Sequence, residues 1–259
     1  MPELPEVEAA RALIEARALG REIAAVDDSD VWVCRPHAPG ELSGALTGRT
    51  LTAARRIGKT MWCETDGGVR LGLHLGMTGR IVVDDASAGD PQPRSAGTDA
   101  KWSRFALDFA DGGRMYLFDK RRLGRAVLDP DLHGLGPDAY AVGKSAFRER
   151  VGRGAMPVKA KLLDQGVIAG VGNLLADETL WRARVSPLHP AGDLSDEELD
   201  VLRRELRGAT RSALRHGGVH TGKLIPHRTP GGTCPRCGAE LQRASVGGRT
   251  TWWCPAEQA

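Results

Sequence analysis

Apolar residues recur at helical spacing at the start of the chain. Val7, Ala10, Ile14 and Ala18 form one stripe, with Glu8, Arg11 and Glu15 opposite. This predicts a single amphipathic helix over residues 5–19. Pro5 suits its first turn, Glu6 and Glu8 suit the positive end of its dipole, and Gly20 is a natural stop. From 21 to about 128 the period shortens to that of strands: Arg49–Ile57, Thr60–Glu64, Val69–Leu75, Gly79–Val83, Arg104–Phe109 and Arg114–Phe118. Turns such as Asp66-Gly67-Gly68 and Asp111-Gly112-Gly113 separate them, and strands so spaced predict a β-sandwich or barrel. Residues 86–100, rich in Ser, Gly, Pro and Asp, predict a mobile loop.

The helical period returns after a Pro- and Gly-punctuated connection at 129–157, which carries one short helix around Ser145–Val151. Helices are expected at about 158–164, 173–184 and 195–216. The last opens with a capping box, Ser195 with Glu198, and carries Val201, Leu202, Leu206, Ala209 and Ala213 on one side. Arg203, Arg207, Arg211 and Arg215 repeat on another face, which reads as a solvated basic stripe ahead of a direct DNA contact. Residues 229–259 are too few for a core. The pattern therefore predicts an α+β chain of three parts: 1–130 strand-rich, 131–228 helical, and 229–259 a small appendage.

Composition changes this picture in two places. The net charge is only +3, but residues 1–141 hold 18 Lys and Arg against 21 Asp and Glu, and residues 142–259 hold 18 against 12. A basic C-terminal half suits a polyanionic partner. Cys34 and Cys63 stand alone and read as small buried side chains, whereas Cys234, Cys237 and Cys254 cluster, which in a reducing compartment favours a metal over a disulfide. No stretch approaches a membrane span, and the first residues carry three glutamates rather than a signal peptide, so the cytoplasm is the expected compartment.

Candidate chemistry begins at the N-terminus. If Met1 is removed, Pro2 presents a secondary amine. An α-amino group has a pKa near ~7.7–8.0 against ~10.4 for lysine, so a useful fraction is unprotonated at neutral pH. Such an amine can attack a carbonyl-like carbon and form an iminium. Glu3 sits beside it to move protons, and Glu6, one helical turn on, can return its carboxylate to the same helix end.

Other stretches carry their own readings. Gly58-Lys59-Thr60 is not a phosphate loop, because Ala53 stands where that motif needs glycine. The glycines of Gly170-Val171-Gly172 permit a tight turn, after which Asn173 is placed to cap a helix whose free amides could take phosphate. Cys234-x2-Cys237-x16-Cys254-x2-Glu257 has the frame of a zinc ribbon.

Met1-Pro2-Glu3-Leu4-Pro5-Glu6-Val7-Glu8 resembles the opening of the formamidopyrimidine-DNA glycosylase and endonuclease VIII family, closer to the first branch. The resemblance implies an N-terminal helix with a two-layered β-sandwich, a helix–two-turn–helix domain and a zinc-ribbon hairpin. It makes Pro2 the nucleophile at C1′ of a damaged nucleotide, with Glu3 handling protons at the sugar and the leaving group. Lys59 would reach the phosphate and the reacting sugar. His74-Leu75-Gly76-Met77-Thr78-Gly79 and Asp119-Lys120-Arg121-Arg122-Leu123-Gly124 resemble the paired turns that fill the helix when the lesion leaves, through Met77, Arg121 and Leu123 with Arg122 in support. Leu123 replaces the usual phenylalanine, and Trp102 stands where a histidine is usual. Either apolar wedge can prop a base step. Ala169–Glu178, continued to Arg182 and Pro187, matches the helix–two-turn–helix signature and gives Asn173 a phosphate-binding role; the hairpin tip Val246–Thr251 matches the family finger, whose arginine, here Arg249, grips phosphate, and Arg153 is expected among the DNA-binding residues. The resemblance puts a fourth cysteine where Glu257 stands, which leaves three alternatives open: zinc held by Cys234, Cys237, Cys254 and Glu257, a weak site, or a finger that keeps only the hairpin shape.

The implied activity is that of a bifunctional glycosylase and abasic-site lyase for oxidised purines in base excision repair. It would use a Pro2 Schiff base and β,δ-elimination, with Lys59 and Arg249 assisting, and act as a monomer on damaged duplex DNA near the nucleoid with one structural zinc. A preference for oxidised pyrimidines, or a non-catalytic lesion-binding protein, remains open at this level.

Overall fold

In the computed structural model, which describes residues 2–89 and 100–258, the stripe on the first helix is buried as its spacing demands. Helix α1 spans Leu4–Arg17, and Val7, Ala10 and Ile14 lose all but a trace of their accessible surface. The chain divides into two units, Met1–Pro2 with Glu6–Leu132 and Glu3–Pro5 with His133–Ala259.

In the first unit α1 is followed by β1 (Ile23–Asp27), α2 (Glu41–Leu46), β2 (Leu51–Ile57), β3 (Thr60–Thr65), β4 (Arg70–His74), β5 (Arg80–Val83), β6 (Ala86–Gly89), β7 (Ser103–Phe109), β8 (Arg114–Phe118) and β9 (Arg125–Leu128). They form two antiparallel sheets, ordered β1-β7-β8-β5-β6 and β2-β3-β4-β9. One apolar cluster joins them: Ile81, Phe105, Leu107 and Leu117 from the first sheet, Leu51, Met61, Leu71 and Leu73 from the second, with Val7 and Ile14 of α1. Burying these side chains contributes about 1.5–3 kcal/mol each. The two-layered sandwich is thus present. Residues 86–89 are not the mobile loop expected of them: Ala86–Gly89 pairs with Arg80–Val83 as an edge strand. Small residues of low strand propensity are held there by ladder hydrogen bonds. The rest of that expectation, residues 90–99, lies outside the described residues. Helix α2 was not anticipated, since only Leu42 and Leu46, one turn apart, mark it in a short polar run.

The second unit holds α3 (Lys144–Val151), α4 (Val158–Leu163), α5 (Asn173–Ala183), α6 (Asp196–His216) and the hairpin β10 (Gln242–Val246) with β11 (Arg249–Trp253). Helix α6 begins at a complete capping box, Ser195 with Glu198, and ends at Gly217 in the left-handed conformation with φ 89°. Its buried face, with Leu199, Leu202 and Leu206, packs with Phe147, Leu162, Leu175 and Leu180. Val201, expected on that face, is only half-buried. The basic stripe is only partly solvated. Arg203 donates to the Val142 carbonyl at 2.7 Å and the Arg207 guanidinium lies over Tyr140, while Arg211 and Arg215 are exposed. Residues 229–258 do own a small cluster, but it leans on α5: Trp181 packs with Leu224, Cys234, Leu241, Trp252 and Cys254. Among the described residues no helix is long and apolar enough to cross a membrane.

Candidate active site

The most organised group begins at Glu3. Its side chain is 1% exposed. Oε2 accepts the backbone N–H of Gly172 and of Leu175 at 3.0 Å each, and Oε1 accepts that of Leu174 at 2.9 Å. These are the amide of the residue before α5 and two of its first turn, which the helix itself leaves unpaired. A carboxylate belongs there, at the positive end of the helix dipole. Gly172, not Asn173, is the residue before the helix, and no side chain within the motif caps it. The amides expected to take phosphate are occupied by Glu3. A Cβ on Gly172 would lie 2.3 Å from Glu3 Cδ, so the second glycine of the motif makes room for this carboxylate. The Leu4 amide donates to the Gly170 carbonyl at 3.1 Å and fixes the backbone that follows.

Pro2, bonded to Glu3, is buried in the chain that carries Met1. An exposed tip was expected. Removal of Met1 both frees the Pro2 nitrogen and removes the residue bonded to it. Glu6 is also buried, at 2% exposure.

Lys59 sits in the two-residue turn between β2 and β3, after Gly58 with φ 59°. That turn is braced from α1. Glu8 Oε2 lies 2.8 Å from Arg56 Nε, and Arg56 Nη1 donates to the Gly58 carbonyl at 3.0 Å. Arg11 Nη2 holds the other Glu8 oxygen at 2.8 Å. Burial pushes the Glu8 carboxyl up, but the hydrogen bonds and charges of Arg11 and Arg56 outweigh it and hold it below the usual carboxylate range. His74, at the end of β4, feels the Lys59 charge. Burial and that charge push its imidazole down, and its Nδ1 accepts the Gly76 amide at 3.0 Å, as a neutral ring can.

The Met77 turn and the Arg121–Leu123 loop are brought together. Buried Asp119 ties them: Oδ1 accepts from Thr78 Oγ1 and the Arg121 amide at 3.0 Å, and Oδ2 accepts the Leu123 and Gly124 amides at 2.7 Å. Gly76, with φ 59°, packs so close that a Cβ would lie 2.5 Å from the Leu123 carbonyl carbon. Met77 and Leu123 are left 39% and 37% exposed, and Arg121 and Arg122 project beside them. Arg122 adopts φ 55°. Trp102, half-buried, has the Arg104 guanidinium over its ring at 5.3 Å.

In the second unit sequence reasoning missed a buried network. Lys159 is fully buried, with Nζ 2.6 Å from Asp177 Oδ1 and 2.7 Å from both Asn173 Oδ1 and Thr251 Oγ1. Arg228 Nε donates to Asp177 Oδ2 at 2.9 Å. Asn173 Nδ2 and Arg228 Nη2 both donate to the Thr250 carbonyl, at 3.0 and 3.2 Å. Burial drives the Lys159 ammonium below the ordinary lysine range, and Asp177 opposes that shift. The network binds α4 and α5 to the strand that starts at exposed Arg249. The hairpin turn before it, Gly247-Gly248, has φ 59° and 70°, which a two-residue turn of this hand requires. Arg153 is exposed after α3, with Nη2 3.4 Å from Glu149.

The sulfurs of Cys234, Cys237 and Cys254 all lie within 4.8 Å of one another. Tetrahedral zinc with ~2.3 Å bonds needs sulfurs about 3.8 Å apart, so the group fits the ion. Cys234 Sγ accepts Trp181 Nε1–H and the Arg236 amide, each at 3.4 Å, which suits a thiolate. Burial raises that thiol, yet such donors bring it down to about 7. Glu257 is not among the converging donors. Its Oε2 is held 2.9 Å from Arg236 Nη1 and 3.5 Å from Arg184 Nε. The expected fourth ligand is thus engaged by two guanidiniums.

The chain is similar to known proteins along nearly its whole length. Residues 1–126 match the formamidopyrimidine-DNA glycosylase N-terminal domain, 134–223 the formamidopyrimidine-DNA glycosylase H2TH domain, and 231–256 the zinc finger found in FPG and IleRS. The formamidopyrimidine-DNA glycosylase of Roseiflexus sp. is 36% identical, with 98% of each chain covered, and that of Nocardioides sp. is 35% identical over 100% of this chain and 94% of its own. The crystal structure of Lactococcus lactis Fpg with DNA containing an abasic site superposes with a TM-score of 0.82 at 29% identity, covering 99% of both chains. The chain belongs to the formamidopyrimidine-DNA glycosylase family, and its three cysteines belong to a zinc finger that holds one structural ion.

Proposed function

We propose that this chain is a bifunctional DNA glycosylase and abasic-site lyase that removes oxidised purines from duplex DNA in base excision repair, at the nucleoid in the cytoplasm. The observation that carries the reading is the Glu3 carboxylate, held by three amides at the start of α5 one residue from Pro2. A proton carrier so constrained suits a nucleophile bonded to it. The relatives' names point the same way, and Lactococcus lactis Fpg has been seen with DNA containing Fapy-dG.

The damaged nucleotide is flipped out because its C1′ is unreachable in the stack. Met77, Arg121 and Leu123 fill the space, with Arg122 behind them. The Pro2 nitrogen gives its lone pair to C1′ as the bond from C1′ to the base breaks, and the base leaves with a proton delivered through Glu3. Opening of the sugar yields a Schiff base that acidifies C2′. Loss of that proton expels the 3′ phosphate, and a second elimination expels the 5′ phosphate. Lys59 and Arg249 hold the phosphates in these steps, with Asn173 and Arg153 contributing to binding. Cys234, Cys237 and Cys254 would hold zinc, which keeps the hairpin folded and supplies no chemistry.

Borohydride trapping on a duplex containing 8-oxoguanine tests the reading. Wild type should give a covalent adduct, and Pro2→Gly should abolish it. An undiminished adduct in the variant, or none in wild type, overturns it. A second reading has one observation behind it: Leu123, in the loop proposed to fill the opened step, and Trp102 both depart from the residues usual in the family. Lactococcus lactis Fpg has also been seen with DNA containing an oxidised pyrimidine. Competition between thymine glycol and 8-oxoguanine duplexes separates the two.

A further inference from the structure

Among the described residues six large apolar side chains are exposed: Val31, Trp32, Met77, Leu123, Met156 and Leu188. Scattered exposed apolar residues need no explanation. The first four are not scattered. Met77 and Leu123 share the turns tied by Asp119, and Val31 and Trp32 are tied to the same loop through Asp30.

The Asp30 carboxylate, 9% exposed, is the junction. Its Oδ1 accepts the Trp32 and Val33 amides at 3.2 Å and Arg122 Nη2 at 2.9 Å, and its Oδ2 accepts Arg122 Nε at 2.9 Å. This is a two-pronged guanidinium–carboxylate pair, the geometry that fixes orientation as well as charge. Arg104 secures it from behind, with Nη1 3.7 Å from Asp30 Oδ2 and Nε donating to the Asp119 carbonyl at 2.8 Å. The 30–33 turn and the 119–124 loop are therefore hydrogen-bonded into one piece.

The exposed end of that piece has a definite chemistry. The Trp32 ring is 53% exposed, and the Arg35 guanidinium lies over it at 3.8 Å while Arg35 Nη1 donates to the Trp32 carbonyl at 2.8 Å. Lys120, Arg121 and Arg122 are exposed in the loop it is joined to, and Arg122 neutralises Asp30. An indole face with a cation across it, at the edge of a basic apolar loop, suits a nucleotide: stacking for base or sugar, positive charge for phosphate.

We propose that the Val31–Trp32 turn is a further DNA-contacting element, in which Trp32 and Arg35 take a nucleotide of the duplex beside the step that Met77 and Leu123 open. This rests on the reading that the 119–124 loop meets DNA. Asp30 is a positioning residue that carries the turn on that loop.

The test is the affinity of the full-length protein for a duplex bearing a tetrahydrofuran abasic site, measured by fluorescence anisotropy. Trp32→Ala should raise Kd about tenfold, the range of one lost stacking contact, and Trp32→Phe should recover most of it. Asp30→Asn should also weaken binding, and its loss should not add fully to that of Trp32→Ala, because both act through one turn. Urea midpoints serve as the control for folding. A Kd for Trp32→Ala within twofold of wild type overturns the inference, as does a loss that Trp32→Phe does not recover. Borohydride trapping by wild type keeps the two readings apart. A trap with an unaffected Trp32→Ala leaves the glycosylase and removes the contact; weakened binding without a trap does the reverse.

Discussion

Glu3 occupies the space that any side chain at position 172 would need, and its carboxylate takes over the amides that the side chain of Asn173 does not cap. Gly172→Ala should therefore expel Glu3 from the α5 terminus while leaving the fold standing. We expect single-turnover excision to drop about a hundredfold, the lower range for a lost acid–base group, with Kd for lesion duplex changed far less. A variant that keeps its excision rate would show that the clamp is not used.

Loss of Lys159 should be felt as stability. Lys159→Met leaves the buried Asp177 carboxylate with Arg228 as its remaining cation, and breaking such a pair costs about 3–5 kcal/mol. Urea unfolding should show this as a lower midpoint, and Lys159→Met/Asp177→Leu should recover part of it. A lone Lys159→Met as stable as wild type would argue that the pair is dispensable.

Acid should loosen the brace on Lys59. The Glu8 carboxyl lies below its ordinary value in the folded chain, so the unfolded chain takes up its proton at a higher pH. The stabilisation is whole above the unfolded value of ~4.3 and is lost as pH falls through the depressed folded one. Glu8→Gln should flatten that part of the pH–stability curve. An identical curve in the variant would assign the acid loss elsewhere.

Metal analysis should find one zinc per chain in wild type, lost in Cys234→Ser, and with it the hairpin and tight DNA binding. Glu257→Ala should keep its zinc, because Arg236 and Arg184 already hold that carboxylate. Release of zinc from Glu257→Ala would return Glu257 to the ligand set.

Binding should weaken steeply with salt through phosphate contacts. Arg249→Ala should lower the slope of log Kd against log salt by about one. An unchanged slope would remove Arg249 from the phosphate-binding group.

What could be read from the chain follows the range of the forces involved. The Ser195–Glu198 box closes over three residues, and the stripes on α1 and α6 are periodic, so all were legible. The cap on α5 was not, because its acceptor lies 169 residues from the nearest amide it holds. Asn173, adjacent and of the right type, drew the assignment instead. Lys159 stands two residues from Lys161 in a short helix and reads as surface, and nothing local announces Asp177 or Arg228 as its partners. The Cys234–Cys254 spacing was legible as a metal frame. What the frame could not announce is the hold on Glu257 by Arg236 and Arg184, whose approach no spacing rule contains. Ala86–Gly89 failed for the opposite reason: its composition says loop, and its neighbour β5 makes it a strand.

The anchorage of Glu3 has a geometric corollary for the residue before it. Consecutive Cα atoms stand 3.8 Å apart, so the ring of Pro2 swings on a leash one peptide unit long, pinned at its far end to a helix. Lengthening the leash by a single inserted residue would shift the Pro2 nitrogen by about that distance.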